Sequence, residues 1–509
     1  MKSKYGLAVL VILAWLASSN ISTCWAQEAV PTPNAADQVQ SLKNGYQEIE
    51  KRLDALEAQS NTQAGAAAPV SFDALGNPLV AGFQYIDNAL EGGNEYFAGE
   101  NKRMEVSNSA GNSVFSVGAF IYFQYNNFYG PPSRYLLNDV GKNPNEFDGF
   151  LFRKLHLYFL AYFDHVWGMS FSLKTFDNAS PDLGMNHAYL YAELSKALVI
   201  KAGKFTNVLS LEGLQANVDL LFAEDSLVGN LVVNKDIGIM VSGSSSHFID
   251  YALEVANGTQ DGLRSSESPL QPDHGLKAVT GRVFFTPFRK SEDPFERDWL
   301  RGFGFGIGGS VDDESNSLNS QDNLPWSRVQ TSLGQNTFLV YNGLVHPQGA
   351  FYHWDPQFYY FNGSFGLQGE YVESIQTVGF DDSPSVQLTN AAWEIQSSWV
   401  FGGRASFSGA RIDHPFDLSS GGLGALELAV RVHQLAVDVD SFTTNFPYNG
   451  GHGSLAQGPE LATALTLGVN WHLNRHFKWM FDWERTDFSG GNLTINPEEL
   501  FVFRAQMGF

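Results

Sequence analysis

Basic side chains stand at alternate positions in several stretches whose remaining positions are apolar. That placement suits contact with an anion in a narrow aqueous passage. Around 425–435, Leu426, Leu428, Val430 and Val432 share one parity, which puts Glu427, Arg431 and His433 on the other. By the same rule Lys154 and His156 lie opposite Leu155 and Leu157, Arg282 stands between Gly281 and Val283, and Arg504 between Phe503 and Ala505. Lys201 and Lys174 join them, while Arg404 and Lys204 can be read in either parity. Fixed charges on such a wall offset the hydration an ion loses on entering a constriction of low dielectric. A guanidinium is always charged and can fork onto two oxygens, which favours Arg282, Arg431 and Arg504 as anion contacts. The plainer reading for each is a solvated wall residue paired with a nearby acid, as Arg431 could pair with Glu427.

The stretch 206–235 is the candidate constriction loop. It carries Asp219, Glu224 and Asp225, with Lys235 at its far end, and a purely acidic constriction would favour cations. Further acids, Asp312-Asp313-Glu314 and Asp381-Asp382, fall in connections where solvation or divalent bridging to lipopolysaccharide is the expected role. His353 and Asp355 lie two apart on one parity, but no serine elbow and no two-histidine helical spacing accompanies them, so no enzyme, metal site or cofactor is expected. The glycines Gly304, Gly306, Gly308 and Gly309 lack the Lys and following helix of a phosphate loop; they read as a wall that leaves room for an inserted loop.

The elements that would position these groups are strands. Leu461 to Leu473 alternates Leu465, Leu467, Val469 and Trp471 with Thr466, Gly468, Asn470 and His472. After Asn474-Arg475, the residues Phe477, Trp479, Phe481 and Trp483 alternate with Lys478, Met480, Asp482 and Glu484, and Phe501, Phe503, Ala505, Met507 and Phe509 form a last row. Period two with Trp and Phe on one face and polar residues on the other is the pattern of a transmembrane β-barrel. Trp399, Trp471, Trp479 and Trp483 read as interfacial anchors. Phe120, Tyr122 and Tyr158 fall on the lumen parity, which keeps a sugar path open as an alternative.

Sixteen strands are expected, near 113–125, 150–163, 167–176, 186–195, 198–205, 236–245, 247–257, 276–287, 301–311, 350–361, 364–373, 391–408, 424–436, 461–473, 476–486 and 500–509. Connections on one side are tight, such as Lys196-Ala197 and Asn362-Gly363, and those on the other are long, including 126–149, 206–235, 312–349 and 374–390. The expected fold is all-β: a 16-stranded antiparallel transmembrane β-barrel with a short N-terminal helical coiled-coil segment.

Residues 1–26 read as a signal peptide, with Lys2 and Lys4 before the apolar run Gly6 to Leu16. Cleavage after Ala26 would remove Cys24, the only cysteine, and with it any disulfide. In 27–69, Val39, Leu42, Tyr46, Ile49, Leu53 and Leu56 make an a/d seam followed by an Ala/Gly linker; a periplasmic coiled coil or a solvated single helix both fit. Residues 70–112 are an unassigned lead-in, and 113–509 the barrel. A net charge of −23 argues against a nucleic-acid partner. Fifty glycines and 14% aromatic residues against 17% charged suit a barrel with aromatic girdles.

Five stretches resemble the phosphate-selective porin O and P family. They are Phe152-Arg153-Lys154-Leu155-His156-Leu157; Gly203-Lys204-Phe205 with Leu211-Glu212, Leu221-Phe222-Ala223-Glu224 and Ile237-Gly238-Ile239-Met240; Gly281-Arg282-Val283 with Pro287-Phe288; Pro356-Gln357 with Tyr359-Tyr360 and Gly369-Glu370-Tyr371; and Gly424 through Arg431 with Ile412 to Pro415 upstream. The resemblance implies a trimeric outer-membrane porin of a Gram-negative bacterium, seated among lipid and lipopolysaccharide. Such a porin passes small anions such as phosphate or pyrophosphate without an energy source. The family usually carries Arg after the acid at position 224, where this chain has Asp225. Two other readings remain: a general, cation- or sugar-permeable porin of the same fold, and a barrel-anchored structural envelope protein.

Overall fold

The computed structural model describes residues 104–107, 113–129, 148–164, 166–177, 180–245, 248–258, 276–288, 300, 302–313, 328–380, 385–443, 446–448 and 451–508. The signal-peptide and coiled-coil expectations lie outside the described residues. Sixteen long strands follow in chain order: β1 Ser113–Tyr129, β2 Gly149–Phe163, β3 Trp167–Asp177, β4 Ser180–Ser195, β5 Leu198–Thr206, β6 Lys235–Ser245, β7 Ile249–Ala256, β8 Leu276–Phe285, β9 Phe303–Asp313, β10 Val345–Asn362, β11 Phe365–Phe380, β12 Val386–Phe401, β13 Ala425–Ala436, β14 Leu461–His472, β15 Phe477–Ser489 and β16 Glu498–Gly508. Each pairs antiparallel with its neighbour, and β1 pairs with both β2 and β16, so the sheet closes on itself. Closure leaves no bare strand edge, which is what a bilayer interior demands of a sheet. Met104–Ser107, in the lead-in that the sequence left unassigned, is a short seventeenth strand laid against the first part of β1.

Burial shows why these sequences make a ring rather than a sandwich. In β13, Glu427, Arg431 and His433 are buried, while Leu426, Leu428, Val430 and Val432 are 41%, 43%, 41% and 37% exposed. The outward rows elsewhere are aromatic: Trp471 meets Trp479 edge-on at 5.5 Å, and Phe481 meets Phe503 at 5.0 Å. Polar groups inside and apolar groups outside invert the pattern of a soluble core, because lipid takes the place of water around the outer face.

Several boundaries differ from the sequence reading for local reasons. β12 ends at Phe401 instead of continuing to 408, because Gly402 takes φ +78° and turns the chain. Arg404 then lies exposed in a small hairpin with Arg411, off the wall. β11 and β12 extend toward each other, so the connection expected over 374–390 shrinks to 381–385. β4 starts at Ser180, six residues before its expected start, through two irregularities in its pairing with β3. Tight turns at 164–166, 196–197, 363–364 and 473–476 gather at one end; the connections 130–148, 207–234, 257–275, 314–344 and 437–460 leave from the other.

The interior is less hydrophilic than alternation predicts. Leu209, Leu227, Val228, Leu231, Val329, Phe338 and Leu339 from two long connections pack with inward side chains of β10 to β14, including Val372, Leu388, Ala392, Leu435 and Ala464. Strand positions that a wet lumen would fill with polar residues are apolar there because loops cover them. A second interior cluster joins Phe120, Tyr122, Tyr158, Tyr189 and Tyr191 on β1, β2 and β4.

Candidate functional site

The connection 207–234 lies inside the ring. Two short 3-10 turns, Glu212–Leu214 and Leu227–Asn230, give it shape, but most of its backbone groups have no regular partner. Inward side chains of the wall supply those partners, as buried backbone polar groups require. Glu370 accepts from Leu211 N (2.6 Å), Glu212 N (3.0 Å) and Ser210 Oγ (3.0 Å). Asp482 accepts from Ala223 N at 2.8 Å, and His433 Nδ1 accepts from Leu227 N at 3.0 Å. Lys478 Nζ donates to Leu220 O, Asn470 Nδ2 to Leu221 O and Gln506 Nε2 to Val218 O, each at 2.8 Å; Gln357 donates to Leu209 O.

The glycine wall makes room for this insert. A Cβ on Gly308 would stand 2.6 Å from Leu209 O, and one on Gly468 would stand 2.9 Å from the Phe222 ring. Gly304 and Gly306 instead receive the Phe284 ring. A second inward segment, around 328–341, docks on the first. Asn230 and Gln330 exchange two hydrogen bonds, Ser332 Oγ donates to Asp225 O at 2.7 Å, and Leu333 N donates to Glu484 at 3.0 Å. Nothing in the local sequence of 328–341 marks it as a segment that enters the ring.

Two acids of the insert, Glu212 and Glu224, are turned to the wall and meet guanidinia there. Glu224 takes Arg153 Nε at 2.8 Å and is also bonded by Arg504, which donates to Ala223 O and Gln124 as well. On this loop, outside the spanning strands, burial alone would raise the Glu224 carboxyl; the Arg153 and Arg504 guanidinia overcome that and hold it well below its usual range. Glu212 receives Ser226 N and Oγ and, at 3.2 Å, Arg431 Nη1. Burial wins at Glu212 and pushes it up to about 7, with Arg431 pulling the other way. Arg431 also donates to Glu224 O and Ser332 Oγ and lies over the Phe222 ring.

Arg153 is the functional residue that strict alternation misses. The β1–β2 register slips between Tyr122 and Phe123, which face Lys154 and Phe152, so Arg153 is the extra residue of a bulge. Arg153 is therefore buried inside beside Lys154 instead of pointing at lipid.

The remaining expected contacts gather on the other side of the ring. Lys154 Nζ reaches Asn217 Oδ1 at 3.2 Å, and His156 lies 4.5 Å from the Phe120 ring and directly across from Lys174. His187 follows on β4, with its Nε2 2.9 Å from Ser170 Oγ; Lys201 and Lys204 are buried on β5, and Lys235, at the start of β6, reaches Asn234 Oδ1. Lys201 Nζ stands 5.3 Å over Tyr189. Lys174 belongs to the basic set that parity singled out, and His187 and Lys204 extend it. Arg282 is apart from this group: its Nε donates to Gln357 at 2.9 Å and its guanidinium lies over Phe284. Of the loop acids, Asp219 is buried with its carboxyl against Gly409, and Asp225 is half-buried.

Among solved structures, the chain is similar to the outer membrane channel DcaP of Acinetobacter baumannii, with 9% identity over 79% of this chain and 99% of that one and a TM-score of 0.46. It is similar also to an anion-selective porin from Comamonas acidovorans, with 10% identity, 78% and 100% coverage and a TM-score of 0.45. The trimer form of in-vitro folded OmpT of Vibrio cholerae matches at 8% identity, 78% and 100% coverage and a TM-score of 0.42. No curated protein matches the sequence. The family model described as phosphate-selective porin O and P matches residues 138–489, from the approach to β2 through β15 and so across both inserted segments and the basic wall. With a closed barrel, an apolar outer face and loops drawn into the lumen, the chain belongs to that family, and it is an outer-membrane porin, a channel and not an enzyme.

Proposed function

We propose that this porin mediates passive diffusion of small anions, phosphate and pyrophosphate among them. The solute would move along the inner face of β2 to β6, past Lys154, His156, Lys174, His187, Lys201, Lys204 and Lys235. The observation that carries this reading is the separation of charge around the ring. Inward acids are concentrated on β10 to β16, where Glu370, Asp482 and Glu484 hold loop backbone and Glu224 of the loop is held by two arginines. The loop acids Glu212 and Glu224 face guanidinia and not the opposite wall, so in this reading they do not bias the passage toward cations. On β2 to β5 the inward positions are instead rich in lysine, histidine, serine and tyrosine, with Glu193 near the turn end beside Tyr162; beyond them lie Asp236, which accepts from Ile237 N and Gly258 N, and the buried Asp250 and Glu254 of β7. Lysine ammonium groups act as point charges that replace water around an oxyanion. Arg431 and Arg504, expected from sequence to touch the anion directly, serve in this reading as anchors of the loop that narrows the passage. We propose further that the protein assembles as a homotrimer in a lipopolysaccharide-bearing membrane.

Planar-bilayer recording tests the proposal. In a KCl gradient the reversal potential should report anion preference, and added phosphate should reduce chloride current in a saturable manner. Lys201→Glu combined with Lys154→Glu should move the reversal potential toward cations. Cation preference in the unaltered protein would favour the general porin, current reduced by sugars and not by phosphate the sugar path, and no conductance the structural envelope role.

A further inference from the structure

Behind the inserted loop, three carboxylates from three different elements converge. Glu370 on β11 and Glu394 on β12 are direct cross-strand partners, a placement that sets like charges side by side. Glu212 of the loop comes down onto them, and one oxygen from each of the three lies within 4.8 Å of the others. All three are at most 3% exposed, so water does not screen them. Asp355 on β10 is fully buried, and its carboxyl meets that of Glu370.

The positive charge nearby does not match this concentration of acids. Arg431 is shared between Glu212 at 3.2 Å and Glu484 at 3.6 Å, and the Nε of Arg282 is turned to Gln357. Nor do donors fill the remaining oxygens. Both oxygens of Glu370 and both of Glu212 already accept from loop amides or hydroxyls. Glu394 Oε2 accepts no hydrogen bond among the described residues, although it is buried, while the Asp355 carboxyl lies against Glu370 and Gln357. A buried carboxylate oxygen with no donor, set beside two further carboxylates, calls for a cation to balance it.

We propose that Glu212, Glu370 and Glu394 form a Ca2+ site that fastens the inserted loop to the barrel wall, with Asp355 as a neighbouring acid. The donors are all hard oxygens. They lie within 4.8 Å of one another but come from two strands and a loop, an irregular set that suits Ca2+, which takes flexible geometry, better than Mg2+, which demands a near-ideal octahedron and dehydrates reluctantly. The site ties residues 212, 370 and 394 together across the fold, a spacing that carries no local sequence signal. It is independent of which solute the channel conducts.

The test uses the full-length porin in detergent, stripped with EDTA and titrated with CaCl2 or MgCl2. The unaltered protein should bind one Ca2+ per chain above the background of its acidic surface, with Mg2+ weaker by roughly tenfold or more. Glu394→Gln should abolish that stoichiometric binding and leave the background. Equal binding by the two proteins, or no stoichiometric Ca2+ in the unaltered one, overturns the proposal in favour of protons shared within the cluster. Should Glu394→Gln fail to fold, Eu3+ luminescence on the unaltered protein decides. A long-lived, poorly hydrated emission displaced by Ca2+ supports the site, and only short-lived, fully hydrated emission overturns it.

Discussion

Glu224 shows how much can hang on one side chain of the insert. It is 3% exposed and bonded by the buried guanidinia of Arg153 and Arg504. Removing one member of a buried ion pair typically costs about 3–5 kcal/mol, because the partner's charge is left uncompensated. The ring does not depend on this contact, so the cost should fall on the loop. Glu224→Gln is expected to raise single-channel current noise and to speed amide hydrogen exchange within 207–234, with β13 to β16 unchanged. Uniform loss of protection across the barrel would refute that division. Arg431→Glu should behave as a loop-release variant for the same reason: the new carboxylate would face Glu212 and Glu484. The reading of Arg431 as an anchor predicts a change in conductance and noise that exceeds any shift in reversal potential; a pure shift in selectivity at constant conductance would restore it to the anion path.

At the scale of elements, the glycines of β9 are the feature the insert requires. Gly308 lies where a side chain would collide with Leu209 O, and that atom is backbone, so the collision cannot be relieved by a rotamer change. Gly308→Val should push the start of the loop off the wall and break the Gln357 bond to Leu209 O. Conductance should rise, while heat-dependent gel mobility, a measure of the folded ring, stays as in the unaltered protein; unchanged conductance would mean the loop start adapts. Much of this level was legible in sequence. Period two located every barrel strand, because each strand separates lipid from the lumen residue by residue. The glycine row and the inward sense of Lys154, His156 and Arg431 followed from the same rule. Arg153 was hidden because a bulge shifts parity by one, and nothing local to Phe152-Arg153-Lys154 announces it. The entry of 328–341 into the ring was hidden because it depends on partners such as Glu484 and Glu498, each more than a hundred residues away. The apolar lumen cluster escaped for a related reason: Val372, Leu388 and Leu435 have the composition of outward residues, and only the loops make them inward core.

For the whole molecule, stability and selectivity reside in separable parts. The closed ring satisfies its backbone groups strand to strand, and its outer rows of Phe, Trp, Leu and Val are matched to lipid whatever the lumen contains. The insert makes no ladder of its own with the ring; it is held by wall side chains that would be hydrated if it were absent. Two substitutions of opposite kind should therefore part company. Replacing 208–233 by a short Gly-Ser bridge should leave a barrel that still migrates as folded before heating, with conductance raised several-fold and phosphate block of chloride current weakened. Leu467→Arg, on the outer row of β14 where Leu467 is 44% exposed to lipid, leaves every lumen residue in place but puts a charge in hydrocarbon, at a cost of about 2–4 kcal/mol if it lies near the midplane. That variant should lose folded material under mild denaturation while its surviving channels keep the unaltered conductance and reversal potential. If the loop replacement instead prevents the ring from forming, the loop is part of the barrel's folding core. If Leu467→Arg changes selectivity in the channels that remain, the outer face and the lumen are coupled, and the separation argued from the bonding pattern fails.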